Sequence, residues 1–289
     1  MDPFFSAPCP SVRASGSDDA RLGSKIATSV QHIEKALATW PLSDSGIAFN
    51  GGKDSIVLLA LVQYVLSHRR TETSSGGRAD DPDARCAPEG NFIVDSEFSW
   101  SSLALSPARR GSSDSVRTIF FLDQNNFPEV LEFMWDVAMK NKLDVVIIRK
   151  HIKTGLRCLN SRPREEYGSC LVRPLKVVFM GTRRSDPGGT NLSTFSRTDE
   201  GWPDIIRVNP LLDWDYHDIW NFTMRAELPY CSLYSKGYTS IGSVETTRPN
   251  KHLWQEKMQR YLPAWCLSSG ALERSGRTAK PAQEAAPFL

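Results

Sequence analysis

The sequence has no long apolar run, no strong charge imbalance and no paired cysteines. A membrane-spanning helix needs about 20 predominantly apolar residues, and no segment approaches that length, so we expect no membrane partner. The formal net charge of +2 is too close to zero to favour nucleic acid as a partner. The six cysteines are scattered without a C-x-x-C pair. This spacing argues against a zinc site or a disulfide framework and favours a reducing, cytoplasmic location.

The N-terminus also lacks the features of a targeting segment. It has neither a basic flank nor a long apolar core, so a signal peptide is not expected. Asp18 and Asp19 argue against an arginine-rich transit peptide. Residues 1–22 are rich in Pro, Ser and Asp, and we expect disorder there and in residues 278–289.

Outside one polar insert, apolar strand patterns alternate with helical patterns. Residues 71–116 are dominated by Ser, Gly, Asp, Pro and Arg, which predicts a largely disordered, low-complexity insert with a short apolar island at 92–94. Predicted strands lie at 46–49, 118–122, 143–148, 175–180 and 205–208, and predicted helices at 25–37, 55–68, 127–139, 155–159 and 213–220. This order predicts an α/β fold, a parallel twisted sheet with helices on both faces, which binds ligands at the carboxyl ends of its strands.

The turn between the first predicted strand and the helix that follows is suited to binding phosphate. Gly51 and Gly52 let the backbone approach an anion without interference from a Cβ atom. The new helix presents unpaired N–H groups to the same point, and Lys53 adds a mobile positive charge. The pattern predicts a phosphate-binding loop, whereas a plain glycine turn with an incidental lysine is the alternative.

This loop does not have the Walker A spacing. That motif needs a glycine, four residues, Gly-Lys and then Ser or Thr. Here Ile47 stands at the first glycine position and Asp54 at the Ser/Thr position. The segment Phe-Asn-Gly-Gly-Lys-Asp-Ser at residues 49–55 instead resembles the pyrophosphate loop of the ATP-pyrophosphatase families.

A second polar motif, residues 181–187, directly follows the predicted strand 175–180. Arg183 and Arg184 are able to fork onto phosphate oxygens. Asp186, which precedes a rigid proline, is a suitable oxygen ligand for Mg²⁺. A solvated turn with a surface ion pair is the alternative, but the position at a strand end favours a functional interpretation.

A third motif covers residues 197–204. Trp202 offers a flat face on which an aromatic ring stacks, and Asp199 offers an acceptor for ring N–H groups. A structural Trp-Pro corner explains the same residues, and the sequence does not decide between the two. Farther along, Trp214 and Trp220 are expected in the core, and His217 as a capping or solvent-facing histidine.

Taken together, these motifs resemble the eukaryotic FAD synthase family, FMN adenylyltransferases with a phosphoadenylyl-sulfate-reductase-like fold. The matching segments are 47–55, 118–130, 173–187, 197–219, 230–242 and 262–277. In the last segment, residues 273–277 resemble the flavin-binding Glu-Arg-Ala-Gly-Arg of the family, with Ser275 in place of alanine. The resemblance implies one adenylyltransferase domain at 23–277, interrupted by the insert 71–116, with a flavin-binding tail.

The resemblance also implies roles for individual residues. ATP would be held by the phosphate loop and nearby side chains, namely Ile47, Asn50, Gly51, Gly52, Lys53, Asp54, Phe121, Thr182 and Arg184. The flavin would be held by Asp199, Trp202, Val208, Arg274 and Arg277. The catalytic set would be Asn50, Lys53, Asp54, Arg183 and Asp186, with Asp186 and Asn50 as ligands of Mg²⁺.

The implied reaction is FMN + ATP → FAD + pyrophosphate, catalysed by a monomer whose partners are these two small molecules. A sulfonucleotide reductase is a rival on the same fold, but it would need a nucleophilic cysteine on the tail, and Cys266 lies among apolar neighbours. A catalytically silent nucleotide or flavin binder is a third interpretation. The presence of Lys53, Asp54 and Asp186 favours an active enzyme, and formation of FAD would discriminate the two.

Overall fold

The structure, a computed structural model, describes residues 16–74, 92–94, 116–122, 125–149, 152–161 and 174–278. The termini, most of the predicted insert and residues 123–124, 150–151 and 162–173 lie outside these ranges. In the described part of the chain, seven strands form one sheet in the order β2-β4-β3-β1-β5-β7-β6. All neighbouring strands are parallel except β6, which runs antiparallel to β7. The predicted α/β fold class is therefore confirmed.

The bounds of the elements are as follows. The strands of the sheet are β1 (Ser45–Phe49), β2 (Phe92–Val94), β3 (Arg117–Phe121), β4 (Val145–Ile148), β5 (Val177–Phe179), β6 (Phe195–Arg197) and β7 (Ile206–Val208). The helices are α1 (Gly16–Thr39), α2 (Lys53–Ser74), α3 (Pro128–Asn141), α4 (Ile152–Ser161) and α5 (Tyr216–Arg225). A short ribbon of β8 (Trp254–Gln255) and β9 (Arg260–Tyr261) follows.

Helices cover both faces of the sheet. Alternate residues of each strand point to opposite faces, so neighbouring residues of a strand pack against different helices. Ile47 and Phe179 belong to the larger core cluster, to which α1, α2, α3 and α5 contribute. Val178, the neighbour of Phe179, belongs to a second cluster with Leu156 and Leu159 of α4. We call the two faces of the sheet the α2 face and the α4 face. Strands that are buried on both faces are expected to be apolar throughout.

Three elements differ from their predicted extent. Helix α1 begins at Gly16 instead of residue 25, so the prediction of disorder does not hold for residues 16–22. Strand β6 is not predicted from the sequence, because its three residues, Phe-Ser-Arg, carry little apolar signal. Residues 92–94 of the predicted insert form an edge strand that pairs with β4, whereas the sequence predicts only an apolar island there.

After α5 the described chain has little regular structure and returns across the end of the sheet. Short 3-10 turns alternate with extended segments, and the last of these turns covers Gly270–Gly276. Backbone bonds hold this tail, with Arg248 N–H donating to Gly276 O at 2.9 Å and Thr278 N–H to Thr246 O at 3.0 Å. Within the described ranges, every helix is too short or too polar to cross a bilayer.

Candidate active site

A cavity of about 970 Å³ opens at the carboxyl ends of the central strands, on the α4 face of the sheet. Residues of β1, β5 and β7 contribute to its wall, and so do the loop before α2 and the C-terminal tail. The structure brings most of the predicted site residues to this wall: Asn50, Gly52, Lys53, Asp54, Phe121, Thr182, Asp186, Asp199, Trp202, Arg274 and Arg277. Segments far apart in the sequence therefore share one concave surface, as expected for a binding site of an open α/β sheet.

The predicted phosphate-binding loop is held by bonds within the protein. The Asn50 Oδ1 atom accepts from the Gly52 amide at 3.0 Å. The Lys53 amide donates to the Tyr234 hydroxyl at 2.9 Å, and the Ser55 hydroxyl donates to Gly52 O at 2.8 Å. The amides of Gly52 and Lys53 therefore already have partners, and Tyr234, which also lines the cavity, fixes the start of α2.

Four charged side chains behind the loop form a closed ring of alternating sign, which we call the charge ring. The Lys53 Nζ atom lies 3.0 Å from Asp54 Oδ2 and 2.5 Å from Glu273 Oε1. The Arg183 Nη2 atom donates to both oxygens of Glu273 at 2.8 Å. The Arg183 Nε atom lies 2.8 Å from Asp54 Oδ1, which closes the ring. Lys53 and Arg183 are 3% and 0% exposed, so both cations depend on these carboxylates.

The charge ring keeps Lys53, Asp54 and Arg183 ionised, because the charges of the ring shift the pKa of each in favour of its charged form. Burial acts to lower the pKa of Lys53, but the carboxylates of Asp54 and Glu273 outweigh burial and raise it. Burial acts to raise the pKa of Asp54, and the charges of Lys53 and Arg183 reverse that effect and lower it. The pKa of Arg183 is raised, since Asp54 and Glu273 again outweigh burial. These three members of the ring are therefore not suited to exchange protons near neutral pH.

The cations of the site do not lie as predicted. The sequence predicts a mobile charge at Lys53, which is instead buried in the charge ring. It predicts that Arg183 forks onto phosphate, whereas Arg183 forks onto Glu273. Arg184 does not reach the cavity wall, because its side chain points to the surface and pairs with Asp213 at 2.6 Å.

Three other predicted residues also lie away from the cavity wall. Ile47 and Val208 are buried in the cluster on the α2 face, whereas the cavity opens on the α4 face. Their strand neighbours Ala48 and Arg207 point the other way and line the cavity. Gly51 is buried in the turn with φ of +71°, so it shapes the loop rather than lining the cavity.

Part of the cavity wall is aromatic and apolar, with Trp202, Phe121 and Leu156 among its residues. Trp202 lines the wall and also packs against the cluster on the α4 face, so the binding and structural alternatives for this residue are compatible. The Lys153 Nζ atom lies 5.7 Å from the centre of its ring. Asp199 also lines the cavity and pairs with Arg207 at 3.3 Å. A planar ring between Trp202 and the apolar side chains would be well accommodated here.

The C-terminal tail supplies the remaining wall. Arg274 and Arg277 line the cavity, and burial, together with the nearby charge of Arg274, lowers the pKa of Arg277. Glu273, in the same turn, has no role assigned from the sequence, although it closes the charge ring. One signal could have identified it: two buried cations require carboxylate partners, and Glu273 is the acidic residue of the tail motif.

The donor set fits Mg²⁺ only as an ion that arrives with a nucleotide. Among the described residues there is no group of three or more His, Cys, Asp or Glu side chains that could hold a metal. Asp186 lines the cavity with its side chain 28% exposed, and its Oδ2 accepts from the Arg183 amide at 2.9 Å. Mg²⁺ is commonly bound through one or two carboxylates and substrate phosphates, and Asp186 with the Asn50 amide oxygen matches that pattern.

Comparison with known families decides the affiliation. Residues 45–249 match the model of the phosphoadenosine phosphosulfate reductase domain. The chain belongs to this family. The matched range covers β1 to β7 of the sheet and ends before the tail that carries Glu273, Arg274 and Arg277.

Individual relatives carry more specific functional names than the family model does. A probable FAD synthase of Schizosaccharomyces pombe is 29% identical over 256 residues, which are 89% of this chain and 80% of the relative. The flavin adenine dinucleotide synthase of Saccharomyces cerevisiae is 45% identical over 225 residues, which are 76% of this chain and 64% of the relative. The chain spans only 40% and 39% of two nematode relatives named probable FAD synthase.

A solved structure with the same fold is the crystal structure of Candida glabrata FMN adenylyltransferase. It superposes with a TM-score of 0.70 at 22% identity, and the match covers 94% of this chain and 93% of that chain. This likeness confirms the fold of the described residues, including those that lie beyond the family model.

Proposed function

We propose that this chain is an FMN adenylyltransferase, which transfers the AMP group of ATP to FMN and forms FAD and pyrophosphate. The observation that carries the proposal is that one cavity joins the glycine loop at the start of α2, an aromatic wall around Trp202 and the tail arginines Arg274 and Arg277. Relatives named FAD synthase match 76% and 89% of this chain, which supports the same assignment.

In this proposal the two substrates meet along the cavity. The triphosphate of ATP lies at Asn50–Asp54, near the N-terminus of α2, where the helix dipole favours an anion. Its adenine lies near Phe121, and the flavin lies toward Trp202, Arg274 and Arg277. A volume of about 970 Å³ is at the upper end of the range for small-molecule sites, which suits two substrates side by side.

The chemistry needs positioning more than proton transfer. An oxygen of the FMN phosphate, already anionic at neutral pH, forms a bond to the α-phosphorus, and the bond from that phosphorus to the pyrophosphate oxygen breaks. The protein therefore has to hold the two phosphates in line and to neutralise charge on the leaving group. Arg274, Arg277 and the start of α2 supply positive potential, while the charge ring fixes the loop. Mg²⁺, held by Asp186 and Asn50, would supply further neutralisation of the phosphates when bound.

The reductase alternative has less support. That reaction needs a cysteine thiolate at the site. Within the described residues, neither Cys231 nor Cys266 lines the cavity. Burial also raises the pKa of Cys231, which disfavours a thiolate. We further propose that the enzyme acts as a monomer in the cytoplasm, with residues 23–277 as one domain, in keeping with the scattered cysteines.

The test is formation of FAD. Purified protein is incubated with FMN, ATP and MgCl₂, and the products are separated by chromatography with fluorescence detection. We expect FAD and pyrophosphate in equal amounts, and we expect Asp186→Ala to lower kcat by about 10²-fold or more, because it removes a carboxylate from the cavity wall. Asp204→Ala is the matched control, since Asp204 is exposed and pairs with Arg197 on the surface.

The outcomes separate the alternatives. Folded wild-type protein that binds both substrates and forms no FAD would favour the silent-binder interpretation. Near-wild-type turnover in the Asp186→Ala variant would contradict the role of Asp186 but leave the reaction in place.

A further inference from the structure

Glu273 joins the C-terminal tail to both cations behind the phosphate loop. Its Oε1 atom lies 2.5 Å from the Lys53 Nζ atom, and both of its oxygens accept from Arg183 Nη2 at 2.8 Å. These partners are 220 and 90 residues away in the sequence. The carboxylate therefore bridges three separate segments: the start of α2, the loop after β5 and the tail.

Two hydrogen bonds also hold the backbone of the tail around Glu273. The Thr239 hydroxyl donates to Glu273 O at 2.6 Å, and the Asn250 side-chain amide donates to Leu272 O at 2.8 Å. Thr239 and Asn250 are buried and bonded to each other at 2.9 Å. The turn that carries Glu273 is thus fixed on one side by the hydrogen bonds from Thr239 and Asn250 and on the other by the charge ring. Its next residue, Arg274, faces the cavity.

The charge ring makes the position of the tail depend on the phosphate loop. The ring contains two positive and two negative side chains, and the Asp186 carboxylate lies outside it, 3.4 Å from the Arg183 Nη2 atom. Loss of one member removes ion pairs from its buried neighbours, which must move or admit water. A change at Lys53 therefore acts on Glu273 directly, and through its turn on Arg274 and Arg277.

We propose that Glu273 is a positioning residue that couples the nucleotide side of the cavity to the flavin side. Its carboxylate binds Lys53 and Arg183 in the charge ring and does not itself contact the flavin. By fixing the turn of the tail, it sets the orientation of Arg274 and Arg277. The inference rests on the proposed function, because it assigns the flavin to the tail arginines. Coupling of this kind is reciprocal, so each side changes the affinity of the other by the same factor.

The test is a double-mutant cycle read out by FMN binding in the absence of ATP. The dissociation constant of FMN is measured from its fluorescence for wild type, Lys53→Met, Glu273→Gln and the double variant. We expect Lys53→Met to weaken FMN binding by about tenfold, although Lys53 belongs to the phosphate loop, and Glu273→Gln to do the same. The double variant should bind FMN no more weakly than the weaker single variant, because it removes one charge of each sign.

Exposed residues provide the controls. Lys236→Met and Glu245→Gln make the same chemical changes at exposed positions outside the cavity wall, and both should leave the dissociation constant within about twofold of wild type. Each variant is first checked for cooperative thermal unfolding. Should Lys53→Met fail to fold, Lys53→Arg keeps the charge while displacing it, and it should weaken FMN binding by a smaller factor.

Two results would count against these proposals in different ways. An unchanged FMN dissociation constant in folded Lys53→Met, or additive losses in the double variant, would overturn the coupling and leave the proposed function standing. Absence of FMN binding by wild type would overturn the proposed function, and the inference with it.

Discussion

Gly51 makes the turn from β1 into α2 possible. Its φ of +71° lies in the left-handed region, which residues with a Cβ atom adopt at a cost. A Cβ atom there would also lie 2.9 Å from Met134 Cγ and 3.1 Å from Val130 Cγ1 of α3. The glycine is therefore required both by the backbone conformation and by close packing, and the position of the phosphate loop depends on it.

We predict that Gly51→Ala lowers the free energy of unfolding by about 1–3 kcal/mol, from strain and crowding together. Turnover should fall as well, since the loop must shift to accommodate the methyl group. Urea denaturation measures the first effect and FAD formation the second. Gly23→Ala in α1 is the control, because nothing lies within 4 Å of the added Cβ atom, and helix propensity makes it neutral or stabilising. Equal stability of the two variants would contradict the prediction.

The residues of the phosphate loop could be predicted from the sequence, but their partners could not. The glycines, Lys53 and Asp54 follow an apolar strand, and that local pattern was sufficient to identify a loop. The sequence could not show which of Arg183 and Arg184 faces the site. Adjacent arginines have the same chemistry, and only the fold turns Arg183 toward Glu273 and Arg184 toward Asp213. A contact across 220 residues, such as that of Lys53 with Glu273, leaves no local signal.

At the scale of elements, charge pairs tie α1 to α5. Asp215 and Asp218 form a capping box at the start of α5, and the Asp218 carboxylate also lies 2.5 Å from Lys25 Nζ and 2.9 Å from Arg21 Nη2 of α1. Asp218 is buried, so one carboxylate caps one helix and holds another. These pairs account for the ordered first half of α1, which is too polar to be held by apolar packing alone.

We predict that Asp218→Asn lowers the free energy of unfolding by about 1–3 kcal/mol. The amide still offers an oxygen to the Asp215 N–H group, but its NH₂ group cannot pair with two cations. Chemical denaturation measures the loss, and hydrogen exchange of the α1 amides shows whether that helix opens first. Asp204→Asn serves as the exposed counterpart and should change stability by less than about 0.5 kcal/mol. Similar losses in both variants would argue against a special role for Asp218.

The type and order of the central elements were predictable, whereas the face of the sheet toward which each residue points was not. Strands buried on both sides are apolar at almost every position, so no alternation in β1 indicated that Ile47 faces α2 and away from the cavity. Polar composition likewise suggested disorder for residues 16–22, because the pairing of Arg21 with α5 is invisible until the helices are placed together.

At the scale of the whole molecule, the family domain and the tail complete each other. The matched domain ends at residue 249, yet the cavity wall includes Arg274 and Arg277, and Glu273 neutralises cations of the domain. Within the domain, Asp54 pairs with both cations and Asp186 lies 3.4 Å from the Arg183 Nη2 atom, and Glu273 adds the 2.5 Å contact with Lys53 and the 2.8 Å contacts with Arg183. The tail is therefore part of the electrostatic balance of the fold as well as part of the proposed flavin site.

This balance predicts a defined dependence of stability on pH. The pKa of Asp54 is lowered in the folded protein, so its stabilising contribution is present above the unfolded value of about 4 and is lost as pH falls through the folded value. The pKa of Lys53 is raised, so its contribution is present below about pH 10.4 and is lost only as pH rises through the folded value. Asp54 and Lys53 should therefore both contribute fully from about pH 5 to pH 9.

We predict that Asp54→Asn reveals this dependence as a difference from wild type. The free energy of unfolding is measured by urea denaturation at pH values from about 3 to 9 for both proteins. The difference should be largest and constant between about pH 5 and 9, and it should shrink below about pH 4, where the unfolded wild-type chain binds a proton at Asp54 more readily than the folded protein does. Asp204→Asn, at an exposed position, should show a small difference throughout. A difference that stays constant down to about pH 3 would mean that the ring does not depend on the ionisation of Asp54.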